Sequence, residues 1–266
     1  MTERAIIFFD VDGTITDHHF QIPDSATCAI RAARERGNLA VVCSGRPYSH
    51  VDPKVKAIGF DGYICSCGMV VRMGEEELLH TSLPGGECRT VIELARQFSV
   101  HIIYESEAGM FFDHTMPMND YMRRSRDHFR AAGLDVEKNV DDPDFTFDKF
   151  FCWFDPEEAE PFYRYLVDHF HVIFRGDAFG VRSFEVVARG SSKKSGMDLL
   201  LSRLRIPFAN TYALGDSTND LDMLGRVAHG IAMGNAFDEV KAAAEYVTGS
   251  VQEDGLKQAL EHYGLV

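Results

Sequence analysis

The chain has 266 residues, 45% of them hydrophobic, with 27 Lys+Arg against 41 Asp+Glu and a formal net charge of −14. That length is ample for a buried core, either one large domain or a core with an insertion. The acidic balance argues against nucleic acid and anionic membranes as partners. No apolar run reaches the roughly 20 residues of a membrane span, and the N-terminus lacks a secretory signal's apolar length and cleavage site, so a cytoplasmic location is expected.

Taken in order, the first element is the apolar run Ala5 to Phe9, closed by Asp10-Val11-Asp12-Gly13-Thr14. A short apolar run ended by Gly and polar residues predicts a buried strand. Two carboxylates then fall at its C-terminal end, where open α/β sheets place their ligand crevice. In an extended backbone Asp10 and Asp12 point the same way. Two carboxylates this close repel each other in an apolar setting, and a hard cation such as Mg²⁺ removes the conflict.

Thr16 to Gln21 reads as a turn or short hairpin, with His18 and His19 on the surface. Pro23-Asp24-Ser25 starts a helix and Gly37 stops it. Asn38 to Ser44 is a second apolar run, followed by Gly45-Arg46-Pro47, and a third, Tyr63 to Cys65, ends at Ser66-Cys67-Gly68. Strand, helix and strand in alternation predict a parallel sheet with right-handed crossovers.

The pattern changes between Leu83 and Val187. Arg89 to Phe98, Tyr121 to Ala132 and Pro156 to Phe170 read as helices. His101–Tyr104, Met110–Phe112, Phe145–Phe154, His171–Arg175 and Val181–Val187 read as strands. Aromatic residues are dense here and hairpins alternate with helices, so a separate α+β module is expected over residues 83–187, inserted in a core of 1–82 and 188–266. Arg175, Asp177, Arg182 and Glu185 read as ordinary strand-face charges ahead of ligand contacts.

The first pattern then resumes. Ser195 to Leu204 is helical, and Thr211 to Leu214 is a strand that ends in Gly215-Asp216-Ser217-Thr218-Asn219-Asp220. Leu221 to Gly225, Phe237 to Ala244 and Gly255 to Tyr263 are further helices; Gly230 to Met233 and Tyr246 to Thr248 are short strands. Before Ser195, Gly190-Ser191-Ser192 reads as a helix cap followed by Lys193 and Lys194. Lysine there opposes the helix dipole by roughly 0.3–1 kcal/mol. An anion in front of it reverses the sign, since helix N-termini and lysine both attract phosphate.

Six cysteines, Cys28, Cys43, Cys65, Cys67, Cys88 and Cys152, form no C-x-x-C pair and read as buried reduced thiols. There is no phosphate-loop or dinucleotide fingerprint. No motif specifies an oligomeric state.

Four motifs recur in order at strand ends and helix starts: Asp10-Val11-Asp12-Gly13-Thr14, Ser44-Gly45-Arg46, Lys193, and Gly215-Asp216 with Asn219-Asp220. With Ala232-Met233-Gly234-Asn235-Ala236 and Glu253-Asp254-Gly255, the chain resembles the haloacid dehalogenase superfamily. Its insertion point and tail resemble the Cof-type phosphatases, which carry a C2-type (C2B) cap. The resemblance implies a Rossmann-like α/β core with an α+β cap, and a Mg²⁺-dependent phosphatase of small phosphorylated metabolites, sugar phosphates foremost. It implies Asp10 as nucleophile through an aspartyl phosphate and Asp12 as general acid, then base. It implies Asp10, the Asp12 carbonyl, Asp216, Asn219 and Asp220 around the metal, and Ser44, Gly45, Arg46, Lys193 and Asn219 around the phosphate and substrate. Lys193 is preferred to Lys194, because the resemblance's spacing to Met197, Leu200 and Leu204 fits that register. Cys67 stands where the family usually has asparagine, and it cannot donate like an amide. A phosphotransferase or mutase, or a non-catalytic phospho-ligand-binding protein, are the alternatives.

Overall fold

The computed structural model describes residues 4–142, 145–178 and 181–266. The first three residues, part of the N-terminus read above as non-secretory, lie outside them. Among the described residues no helix is long and apolar enough to cross a membrane.

The chain opens with β1 (Ile6–Phe9), α1 (Asp24–Glu35), β2 (Leu39–Cys43), α2 (Pro53–Lys56), β3 (Gly62–Cys65), β4 (Val70–Met73) and β5 (Glu76–His80). It continues through α3 (Gly85–Gln97), β6 (His101–Ser106), β7 (Gly109–Phe112), α4 (Asp120–Ala131), β8 (Lys138–Asn139), β9 (Lys149–Phe154), α5 (Glu160–His169), β10 (His171–Ala178) and β11 (Val181–Val187). It closes with α6 (Lys193–Leu204), β12 (Thr211–Gly215), α7 (Leu221–Leu224), β13 (His229–Ala232), α8 (Asp238–Ala243), β14 (Tyr246–Val247) and α9 (Gly255–His262).

Two compact units result. The first comprises the described residues up to Gly45, Asp52–Leu79 and Ser192–Val266. The second comprises Arg46–Val51 and the described residues of His80–Ser191.

In the first unit the strands lie in the order β14-β13-β12-β1-β2-β3-β4-β5. β14 through β3 are parallel neighbours, and β4 runs antiparallel to β3. The antiparallel β4 and the β5 edge departs from the all-parallel sheet expected from the alternation. β5 is mostly exposed, so it has no apolar pattern to betray it. β1 is buried at every residue, as a strand covered on both faces must be. It separates the strands that follow it directly, β2 and β3, from β12 to β14, which return after the insertion. The sheet reverses its direction of growth there, and that is where an open α/β sheet leaves a crevice at its carboxyl ends. Helix α1 turns Ala26, Ala29, Ile30 and Ala33 inward at helical spacing.

The second unit has its own sheet, β10-β11-β9-β6-β7-β8. Its pairs are antiparallel except β7 with β8. One apolar cluster gathers Ile103, Met110, Phe112, Met122, Phe129, Val136 and Trp153. Several boundaries move from the sequence reading: α3 begins at Gly85, β6 runs to Ser106 and β10 runs to Ala178. The helix expected from Pro156 begins at Glu160, because Pro161 is tolerated only in a helix's first turn. The strand expected from Phe145 begins at Lys149.

The cysteines are free thiols. Five are buried, but Cys28 is exposed, which corrects the expectation of six buried thiols.

Candidate active site

The site in the first unit is built from strand ends. Asp10 follows β1 directly, its N–H donating to the Leu214 carbonyl at 3.0 Å. The strand has already ended at Phe9, so Asp10 and Asp12 do not both lie in the extended strand from which their shared direction was expected. The N–H groups of Thr14, Ile15 and Thr16 all turn back to the Val11 carbonyl. Asp10 is buried and Asp12 is exposed. Gly13 has φ +86°, and a Cβ added there would lie 2.2 Å from Asp216 Oδ2. This position requires glycine twice over, for its backbone conformation and for the carboxylate seated against it. The loop beyond holds His18 and His19 exposed, with Asp17 accepting from the His19 and Gln21 N–H groups at 2.8 and 2.9 Å.

Asp216 follows β12. Asp220 braces that turn, since its Oδ2 accepts the N–H groups of Asp216 and Ser217, each at 3.0 Å. Asn219 Oδ1 accepts from Ser217 Oγ at 2.5 Å.

Lys193 enters as the first residue of α6. Ser192 caps the helix reciprocally with Ser195, so the helix starts two residues earlier than its apolar pattern suggests. Lys193 is 2% exposed and Lys194 is exposed. Lys193 Nζ reaches Asp10 Oδ1 and Asp220 Oδ1, each at 2.5 Å. Burial, the largest influence on this ammonium, pushes its pKa down, but the two carboxylates override it and hold the pKa well above the usual lysine value. Lys193 therefore stays charged. Burial pushes Asp10 up, Asp220 adds to the rise, and Lys193 opposes it.

Oxygen atoms of Asp10, Asp216 and Asp220 all lie within 4.8 Å of one another. Three carboxylates against one ammonium leave an excess of negative charge. Hard oxygen donors in that excess suit a divalent cation such as Mg²⁺, so the residues present fit the metal.

Ser44, at the end of β2, is buried. Its N–H donates to Ile64 O at 2.8 Å and its carbonyl accepts from Cys67 N at 3.2 Å. Ser66, Cys67 and Gly68 are all left-handed, with φ of 48°, 51° and 88°. A Cβ on Gly68 would meet the Ser192 carbonyl at 2.0 Å, so this turn lies directly against the cap of α6. Asparagine adopts the left-handed conformation more readily than cysteine, so Cys67 occupies a position with a conformational cost. Cys43, buried, is near enough to Lys193, Asp220 and Asp10 to feel their charges, although burial chiefly raises its thiol pKa.

Gly45 belongs to the first unit and Arg46 to the second. There the Arg46 guanidinium lies over the Phe129 ring, 5.1 Å from its centroid. In the same unit Asp177 pairs across strands with Arg182, and Glu185 meets Arg175 at 3.7 Å and Lys149 at 2.5 Å. Glu185 is buried, so it belongs to a buried ion-pair cluster and is not an ordinary strand-face charge.

Asn235 was legible only as part of a resemblance motif. Its Nδ2 donates to Gly13 O at 2.8 Å and its Oδ1 accepts from Val251 N at 3.1 Å, so it tethers the turn that follows Asp12.

Residues 7–260 match the family described as haloacid dehalogenase-like hydrolase. The chain belongs to that family. Among its relatives is a putative phosphatase of Bacillus subtilis, YkrA, 29% identical over 269 residues and 99% of both chains. Another, from the same organism, is the 5-amino-6-(5-phospho-D-ribitylamino)uracil phosphatase YitU, 25% identical over 98% of both. The solved structure of the subclass IIB sugar phosphatase BT4131 superposes with a TM-score of 0.82 at 26% identity, covering 98% of this chain and 100% of that one.

Proposed function

We propose that the chain is a Mg²⁺-dependent phosphatase of a small phosphorylated metabolite, a sugar or polyol phosphate foremost, working through an aspartyl phosphate on Asp10. As a member of this family with full-length phosphatase relatives, it is a hydrolase of phosphoric monoesters. The observation that carries the finer reading is the buried Lys193 held between Asp10 and Asp220, with Asp216 alongside, at the carboxyl ends of central parallel strands. The sugar phosphatase and the ribitylamino-uracil phosphatase among the relatives support a hydroxyl-rich leaving group.

In this reading the Asp10 carboxylate attacks phosphorus, and the bond from phosphorus to the leaving oxygen breaks. The Asp12 carboxyl gives its proton to that oxygen. Asp12, now ionised, takes a proton from water as the water attacks phosphorus. The bond to Asp10 then breaks and inorganic phosphate leaves. Asp10 is buried against Lys193, and Asp12 is exposed in the turn just beyond it. Lys193 and Ser44 are assigned to the phosphoryl oxygens, with Lys193 also fixing Asp10. The Asp10 carboxylate, the Asp12 carbonyl and Asp216 would hold Mg²⁺, with Asp220 and Asn219 fixing the turn that carries Asp216. Bound there, Mg²⁺ would neutralise the carboxylates and the charge on the phosphoryl group. Arg46 is assigned to the leaving group.

The test is phosphate release from a panel of sugar, polyol, nucleotide, cofactor and aryl phosphates, with Mg²⁺ or chelator. Metal-dependent release that disappears in Asp10→Asn is expected. An isomerised sugar phosphate in place of free phosphate would move the reading to a mutase, and ligand binding without turnover would overturn the enzyme.

A further inference from the structure

A segment of six residues, Arg46–Val51, lies between two stretches of the first unit and yet belongs to the second. One residue that holds it there is Glu107. This residue lies in the two-residue link between β6 and β7. Its Oε1 accepts from Tyr48 N at 2.7 Å and its Oε2 from Ser49 N at 3.1 Å. Tyr48–His50 is a single 3-10 turn entered from Pro47, and the leading N–H groups of such a turn have no partner within it. One carboxylate satisfies two of them. Ser49 Oγ adds a bond to the Ser106 carbonyl at 3.4 Å.

Glu107 is itself anchored. Its own N–H donates to Asp148 Oδ2 at 3.3 Å, and Asp148 also accepts from Ser82 Oγ at 2.6 Å and pairs with His80 Nε2 at 3.2 Å. Downstream of the staple, the His50 ring packs on Phe129 with centroids 5.5 Å apart. Upstream, Arg46 stacks on the same ring. Both ends of the stapled turn therefore converge on Phe129. An arginine side chain has large rotamer freedom to lose, so where its guanidinium sits depends on how firmly its backbone is fixed.

We propose that Glu107 is a positioning residue: by clamping the Tyr48 and Ser49 amides it sets Arg46 on Phe129 and so tunes substrate affinity. This rests on the assignment of Arg46 to the leaving group. Two carboxylate bonds to backbone N–H groups are of the stronger, charge-assisted kind, which suits a clamp on a short segment.

The experiment uses the full chain and the variants Glu107→Ala, Glu107→Gln, Arg46→Ala and the Glu107→Ala/Arg46→Ala double. Amide exchange at Tyr48 and Ser49 is read by NMR without any substrate. It should accelerate at least tenfold in Glu107→Ala and less in Glu107→Gln, which keeps one acceptor. With the best substrate of the panel, KM should rise about tenfold in Glu107→Ala, roughly the loss of one charged hydrogen bond. kcat should change by no more than about twofold, and the double variant should match Arg46→Ala alone. Unchanged exchange in a folded Glu107→Ala would overturn the clamp. KM effects that multiply in the double variant would overturn the link to Arg46. Absence of turnover in the wild type is a separate result: it removes the phosphatase reading, and the exchange measurement still decides the clamp.

Discussion

Each unit buries a lysine between two carboxylates. In the first, Lys193 meets Asp10 and Asp220, each at 2.5 Å. In the second, Lys149 meets Glu105 at 2.6 Å and Glu185 at 2.5 Å. The side chains are equally secluded, and the difference lies in what surrounds them. Lys149 and its partners stand on neighbouring strands of one ladder, with Glu105 directly opposite Lys149, and Arg175 makes the charges even at two of each sign. Lys193 and its partners come from a helix start and two strand-end loops, and Asp216 tips the total to three negative against one positive. A balanced buried cluster holds a sheet together. An unbalanced one, on loops at strand ends, is what the proposed phosphatase site would need to take up a cation and a phosphate.

That contrast can be broken at its strongest point first. Asp10→Asn should lower phosphate release by roughly a thousandfold or more, as expected when a nucleophile is removed, while its unfolding midpoint in urea stays near the wild type or rises. Lys149→Met should do the reverse. It takes the lysine from two buried carboxylates, leaving Arg175 beside Glu185 alone, and should cost about 3–5 kcal/mol of stability, measured by urea unfolding, with Mg²⁺ dependence retained. If Lys149→Met is as stable as the wild type, the balanced cluster is not structural.

Mg²⁺ sharpens the comparison. At about 100 times its dissociation constant it should stabilise the protein by about 2.7 kcal/mol, seen as a rise in Tm. The rise should vanish in Asp216→Ala and persist in Lys149→Met. A smaller effect is expected of Gly13→Ala, which places a methyl group against the Asp216 carboxylate at a left-handed position. It should cost about 1–2 kcal/mol in stability and weaken Mg²⁺ binding, measured by titration calorimetry. Unaltered Mg²⁺ affinity would show that Asp216 does not depend on that glycine.

Much of the core was legible because its strands are buried on both faces and so read as unbroken apolar runs. Ile6 to Phe9 and Leu39 to Cys43 are of this kind. β5 was not, since a strand exposed over most of its length carries no such run. Among the candidate site residues, Lys193 was preferred to Lys194 only on the resemblance's spacing; the cap at Ser192 leaves the first buried and the second exposed. Glu107 carried no signal at all. In sequence it is part of a hairpin turn, and its importance comes from amides nearly sixty positions away, a pairing that no local pattern encodes.

The close approach of Gly68 to Ser192 has a consequence for how such a chain can diversify. It joins a turn of the chain before the inserted segment to the first residues after it, and the β1–β12 pairing joins the two parts of the first unit again. The frame is thus sealed at the very place where extra chain departs and returns. Lengthening an intervening loop adds only a slowly growing entropic term, so the insert is free to drift, shrink or be exchanged while the strand ends keep their geometry. Residues 80–191 can then change while the residues assigned to the chemistry, which lie on both sides of that segment, stay in place.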